Sequence, residues 1–225
     1  FYNNAAGTRY LWFSNRDPQR PLVLTRNDAS RGGALYLAST SVSSNAYTSI
    51  SANLVDTIVS DNTATEAGAF FLQGTGNGAP ALTALAMGAG AVNSRHCAAA
   101  LRCNRVEGNI SGNTGTIYNL SMGTTGSTRF RMTRGYLLDN HSPGRELIGG
   151  NGIVDTDNTF IAGNVTGTAS LIAGSSVTLR NTSAAVNVVQ APNLFALNQV
   201  AGQQPELTIH NSIVHQPGRS LLATH

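Results

Sequence analysis

One short pattern recurs along this chain: two apolar residues, two small or polar residues, then asparagine. Its clearest copies are Val23-Leu24-Thr25-Arg26-Asn27, Ile58-Val59-Ser60-Asp61-Asn62 and Phe160-Ile161-Ala162-Gly163-Asn164, with looser copies ending at Asn113, Asn140 and Asn198. Six positions after the first two asparagines a glycine opens an apolar run, Gly33-Ala34-Leu35-Tyr36-Leu37 and Gly68-Ala69-Phe70-Phe71-Leu72. Self-similarity at a spacing of a few tens of residues constrains the fold more than any local propensity, because each repeat must bury its apolar face against the next. The six asparagines stand 24 to 51 positions apart, which suits a coil of about 25 residues with insertions, the longest step reading as two coils. Asn and Gly at the corners supply the positive-φ conformations that β-branched residues resist. Asparagines at one corner of stacked coils can also hydrogen-bond to each other along the stack.

Composition excludes the main competitors. Only 11% of the 225 residues are charged, while 41% are hydrophobic and 24 are glycine, so the chain is neither a charged helical bundle nor disordered. Apolar residues come in runs of two to four without a sustained 3.6-residue period, which argues against helices. All 14 basic residues are Arg, giving a net charge of +3. They are scattered apart from Arg129, Arg131 and Arg134, so the electrostatic footprint of a nucleic-acid binder is missing. No apolar run is long enough for a membrane helix. The opening FYNNAAGTRY, without Met or leader character, reads as an excised segment of a longer chain, and residues 1–225 read as one domain. Tyr10, Leu11, Trp12 and Phe13 read as a cover for the first coil.

Gly32-Gly33-Ala34-Leu35 and Phe195-Ala196-Leu197-Asn198 resemble the two halves of the polymorphic outer-membrane-protein repeat, in which GGA plus an aliphatic residue is combined with Phe-x-x-Asn. Here the halves fall in different coils, and several copies replace Phe by Leu or Ile. The resemblance covers about Leu22 to Ser212 and is weakest over Gly74 to Ala100. It implies an all-β fold, a single-stranded right-handed parallel β-helix, on the extracellular or outer-membrane surface of a bacterium. The implied role is a noncatalytic passenger, adhesin or display scaffold, with an extracellular polysaccharide or cell-surface partner.

Parallel β-helices also carry polysaccharide lyases and glycoside hydrolases, so a carbohydrate-active enzyme is the alternative. Glycosidic hydrolysis uses two carboxyls held about 5–10 Å apart. Asp155 and Asp157 share one face of a strand, and Asp56 and Asp61 lie near another coil corner. Aspartate beside Asn or Thr is also a turn former. Arg129, Arg131 and Arg134 are the candidates for contacting an acidic sugar, against a reading as solvated surface charge. Convergence of the four aspartates with Arg131 or Arg134 would favour the enzyme, and scatter over the corners the scaffold. Gly149-Gly150-Asn151-Gly152-Ile153-Val154-Asp155 comes within one residue of a calcium-binding nonapeptide, but in a single copy. Neither a metal nor a cofactor is expected. Cys97 and Cys103 suit one small disulfide loop in a secreted domain, against two buried thiols. Asn27, Asn62, Asn113, Asn140, Asn164 and Asn198 are the expected structural asparagines.

Overall fold

The computed structural model describes residues 2–3, 7–13, 21–41, 47–88, 104–200 and 204–223. Among them the chain is all-β, without a helix, and every paired strand runs parallel to its neighbour. Short β-branched and apolar runs punctuated by Gly and Asn favour this arrangement, since parallel pairing needs a crossover between partners.

Three sheets form, of eight, twelve and five strands. The chain visits them in a recurring order, the last strand of the five-stranded sheet being Val165–Thr166. From Leu35–Ser41 in the first it passes to Thr48–Leu54 and Thr57–Ser60 in the second, then Thr63–Glu66 in the third, and returns at Phe70–Gly76 to pair with Leu35–Ser41. The twelve-stranded sheet is two files of strands joined by two long members, Gly126–Leu138 and Ile153–Ala162, which run through both. These bend at Arg134 and Asn158, where φ is positive. The stretch Gly7–Phe13 is an in-register strand beside Thr48–Leu54, with Leu11 and Phe13 packed on the core and Tyr10 and Trp12 exposed. It forms the edge of the sheet at that end.

Parallel, unshifted register stacks like on like. In the eight-stranded sheet Leu35, Phe70, Ile117, Ile148, Ile172, Phe195 and Leu222 form one inward column. Leu11, Ala52, Leu85, Phe130, Val154, Val177 and Leu207 form another in the first file of the twelve-stranded sheet. In the second file the column is Leu24, Val59, Val106, Leu137, Ile161, Ala184 and Val214. The columns meet across the interior, where the rings of Phe70 and Phe130 lie 6.3 Å apart. Each large apolar side chain so buried contributes roughly 1.5–3 kcal/mol. Gly33 and Gly68 sit where adjacent repeats approach most closely: a Cβ on Gly33 would strike the carbonyl of Gly68, and one on Gly68 the carbonyl of Ile110.

Asparagine holds the turn into the five-stranded sheet. Asn27, Asn62, Asn109, Asn140, Asn164 and Asn187 form an unbroken ladder, each after the first taking hydrogen bonds on its Oδ1 from the backbone and side-chain amides of the residue before it in the series. Gln216 ends the series by accepting from the Asn187 backbone at 3.1 Å. From Asn62 onward each side-chain amide also donates to a strand carbonyl, those of Leu24, Val59, Val106, Leu137 and Ile161. All but Asn27 are buried. Asn113 and Asn198 lie outside the ladder. Asn113 is exposed, and Asn198 donates instead to the carbonyl of Gly150 at 2.6 Å. The long interval after Asn62 is one repeat with an insertion, because Asn62 bonds directly to Asn109 47 positions on.

Candidate functional site

The outer face of the twelve-stranded sheet gathers part of the expected polar set. Arg129 and Arg131 alternate with inward Phe130 and Met132 along Gly126–Leu138, so both point out. Register puts Arg131 opposite Asp155 and Thr133 opposite Asp157 on the adjoining strand. The Arg129 guanidinium clamps Asp155 Oδ2 through Nε at 2.7 Å and a terminal nitrogen at 2.5 Å. The Asp155 side chain is only 10% exposed, so this pairing compensates a nearly buried charge. Asp157 Oδ1 accepts from the side-chain amides of Asn158 and Asn181, both at 3.1 Å.

Asp61 stands at another bend, and Asp56 at the bend that Asn158 occupies but three strand pairings away from it. Both are turn residues at positive φ, 47° and 55°, preceding Thr57 and the ladder residue Asn62. The four aspartates therefore do not converge. Asn151, in the glycine-rich stretch, exchanges hydrogen bonds with the backbone of Ser121, accepting at 2.7 Å and donating at 2.9 Å. Among the described residues no group of three His, Cys, Asp or Glu could hold a metal. Cys97 and Cys103 lie outside the described residues.

A concavity lies where the two files of this sheet meet. Arg134, Asn158 and Asn181 occupy the same bend in three successive repeats, at φ 54°, 49° and 48°. The left-handed conformation throws their side chains outward as the chain turns, and asparagine tolerates it better than most residues. Beyond the bend Tyr136, Phe160 and Ser183 follow in register, and the Tyr136 and Phe160 rings meet edge-on at 6.4 Å. The Arg105 guanidinium lies 5.9 Å from the Tyr136 ring centre and is tied to Glu107 at 2.7 Å. These groups surround a cleft of about 460 Å³ lined by Arg134, Gly135, Tyr136, Asn158, Thr159, Phe160, Asn181 and Ser183. Its size falls in the range of small-ligand sites. Aromatic faces, neutral amides and one guanidinium can stack on an apolar ring face and hydrogen-bond its hydroxyls.

Of the expected residues, Arg134 lines this cleft, Asp157 braces two of its asparagines, and Arg129, Arg131 and Asp155 lie further along the same outer face. Tyr136, Asn158, Phe160 and Asn181 are additional. The signal for the asparagines is a second repeated dipeptide, Asp56-Thr57, Asn158-Thr159, Asn181-Thr182 and Asn211-Ser212, in which the first residue always has positive φ.

A different outer surface, on the eight-stranded sheet, is filled rather than open. Tyr36, Phe71 and Tyr118 stack in register with ring centres 5.3 and 5.4 Å apart, and Arg31, paired with Glu66, covers Phe71. Burial pushes the Tyr118 hydroxyl above the usual tyrosine range, against the opposing pull of Arg145 and with Glu146 and Glu66 acting the same way as burial.

Comparison of the chain with protein-family models, curated proteins and solved structures yields no match.

Proposed function

We propose that the chain is a right-handed parallel β-helix module, similar to polymorphic outer-membrane-protein repeats, that works outside a bacterial cell as a noncatalytic saccharide-binding or display scaffold. The solenoid reading is supported by the recurring order in which the chain visits its sheets, by parallel unshifted register, and by an asparagine ladder that links every repeat from Asn27 to Asn187.

Binding rather than catalysis rests on one observation: the cleft at the bend is lined by aromatic rings, amides and Arg134, with no pair of carboxylates among the described residues facing across it. Asp155 is clamped by Arg129, and Asp157 is held by two side-chain amides. A glycan array run beside an assay for reducing or unsaturated ends tests this. The expected result is binding without product, with the binding of neutral glycans lost in Tyr136→Ala. Product formation would overturn it in favour of a carbohydrate-active enzyme, and silence in both assays would leave a structural spacer.

A further inference from the structure

A second hollow lies on the outer face of the twelve-stranded sheet, on the other side of Arg129 from Ile153–Ala162. Three adjacent strands, Thr48–Leu54, Ala81–Met87 and Gly126–Leu138, line it, and Gly7–Phe13 continues the same two registered rows next to it. One row reads Trp12, Asn53, Ala86, Arg131; its neighbour reads Tyr10, Ser51, Ala84, Arg129. Along each row side-chain length falls and then rises, from an aromatic ring through a small polar group and a methyl to a guanidinium. The hollow itself, a trough of about 200 Å³, has an alanine floor and is lined by the Ser51, Asn53, Ala84, Ala86, Arg129 and Arg131 part of these rows, with the Tyr10 and Trp12 rings continuing the rows beyond it. Its aromatic rim is open to solvent, Tyr10 79% and Trp12 60% exposed. Three strand spacings separate that rim from the arginine rim, about 14 Å.

The two arginines are not equivalent. Arg129 is committed to Asp155. Arg131 is exposed and makes no side-chain hydrogen bond or ion pair among the described residues, so its planar donor fork is available for a carboxylate or sulfate.

We propose that this trough binds an anionic saccharide chain, its rings stacked on Trp12 and Tyr10 and an acidic substituent held by Arg131. The methyl floor at Ala84 and Ala86 lets a flat ring approach the sheet closely, and the exposed aromatics gain apolar contact that water denies them. A polynucleotide is the poorer fit: its affinity is built from several phosphate contacts, and among the described residues the hollow is lined by one uncommitted cation. The site stands on its own geometry and is independent of the cleft at the bend.

The chain contains a single tryptophan, so its emission reports on the rim directly. Titration of the intact chain with dextran sulfate and with oligogalacturonate, beside neutral dextran and oligo-dT, tests the assignment. The expected result is a saturable change in emission with at least one anionic saccharide and none with dextran, the responding probe distinguishing sulfate from carboxylate. Arg131→Glu should weaken that binding about tenfold or more at an unchanged melting temperature, and Ala86→Glu, which places a carboxylate on the floor, should do the same. Tyr136→Ala should leave it intact, so failure here and failure at the bend are read separately. No response to either anionic saccharide, an equal response to dextran, tighter binding of oligo-dT, or unaltered affinity in both Glu variants would overturn the proposal.

Discussion

Two bends of the chain solve the same backbone problem differently. At both, a residue with positive φ turns the strand and the next residue anchors the turn. At the ladder bend the turning residues are Arg26, Asp61, Gly108, Asp139, Gly163 and Val186, and the anchor is always asparagine. At the cleft bend they include Asp56, Asn158, Asn181 and Asn211, and the anchor is Thr57, Thr159, Thr182 or Ser212. Asparagine is long enough to accept from the previous repeat and donate to the next. The hydroxyls reach back two residues along their own strand, to the carbonyls of Val55, Asp157, Arg180 and His210. One bend is therefore stitched by the same residue along the whole stack, while at the other the links between repeats change in kind, Asn104 Oδ1 accepting from the Thr57 backbone and Ser212 Oγ from the Thr182 backbone. With no single residue type required, the second bend can vary the side chains it turns outward, and that is where the larger of the two hollows lies.

The largest expected effect tests the stitching itself. Asn140 is buried and takes part in five ladder hydrogen bonds, two accepted from Asn109, two donated to Asn164 and one to the carbonyl of Val106. Asn140→Ala removes the side-chain share of these and strands buried groups on both sides, a loss of about 3–5 kcal/mol. Urea unfolding should show it as a lower midpoint, whereas Asn113→Ala, at an exposed position outside the ladder, should move the midpoint little. Equal effects at the two positions would dissolve the contrast.

That pair of asparagines also shows what was legible in the sequence. The repeated pattern points to the bend, but it asks for two apolar residues before the asparagine when only the nearer one faces inward. Val59, Val106, Leu137 and Ile161 are fully buried, while the preceding position holds Ile58, Arg105, Tyr136 or Phe160, and Phe160 is 39% exposed. Asking for both apolar residues passes over Asn109, whose pair is Arg105-Val106, and Asn187, whose pair is Ser183-Ala184. Parallel strands were legible because inward columns constrain residue type. The trough and the cleft were less so, because outward positions constrain it weakly, and their grouping depends on register across repeats separated by insertions of different length.

At the cleft bend the corresponding anchor should matter less. Thr159 is buried, and its hydroxyl serves the Asp157 carbonyl at 3.1 Å. Thr159→Val keeps the shape and removes that bond, an expected loss of about 1 kcal/mol by the same urea measurement. A loss as large as that of Asn140→Ala would mean that the two bends contribute alike.

Strain offers a similar-sized effect of opposite sign. Val186 holds φ 51° while 74% exposed, and its counterparts in the ladder series include Gly108 and Gly163. A β-branched residue resists the left-handed region and here gains little burial in return. Val186→Gly should raise stability by up to about 1 kcal/mol, strain relief outweighing the added freedom of the unfolded chain. A lower melting temperature would show that the exposed Val186 side chain contributes more than its conformation costs.

The smallest stability effect is expected where the functional effect is sharpest. Asn181 turns the chain at φ 48° and gives one side-chain hydrogen bond to Asp157, a carboxylate that Asn158 also serves. Asn181→Gly keeps the favoured conformation and deletes the amide from the cleft wall, so unfolding should shift by no more than about 0.5 kcal/mol. Saccharide binding at the cleft should nevertheless weaken, because a hydrogen-bonding group has been removed without reshaping the bend. Measured together, an unchanged midpoint and a weaker glycan signal would assign ladder asparagines to stability and cleft asparagines to recognition. A destabilised protein with unaltered binding would reverse that assignment, since the amide would then be bracing Asp157 rather than meeting a ligand.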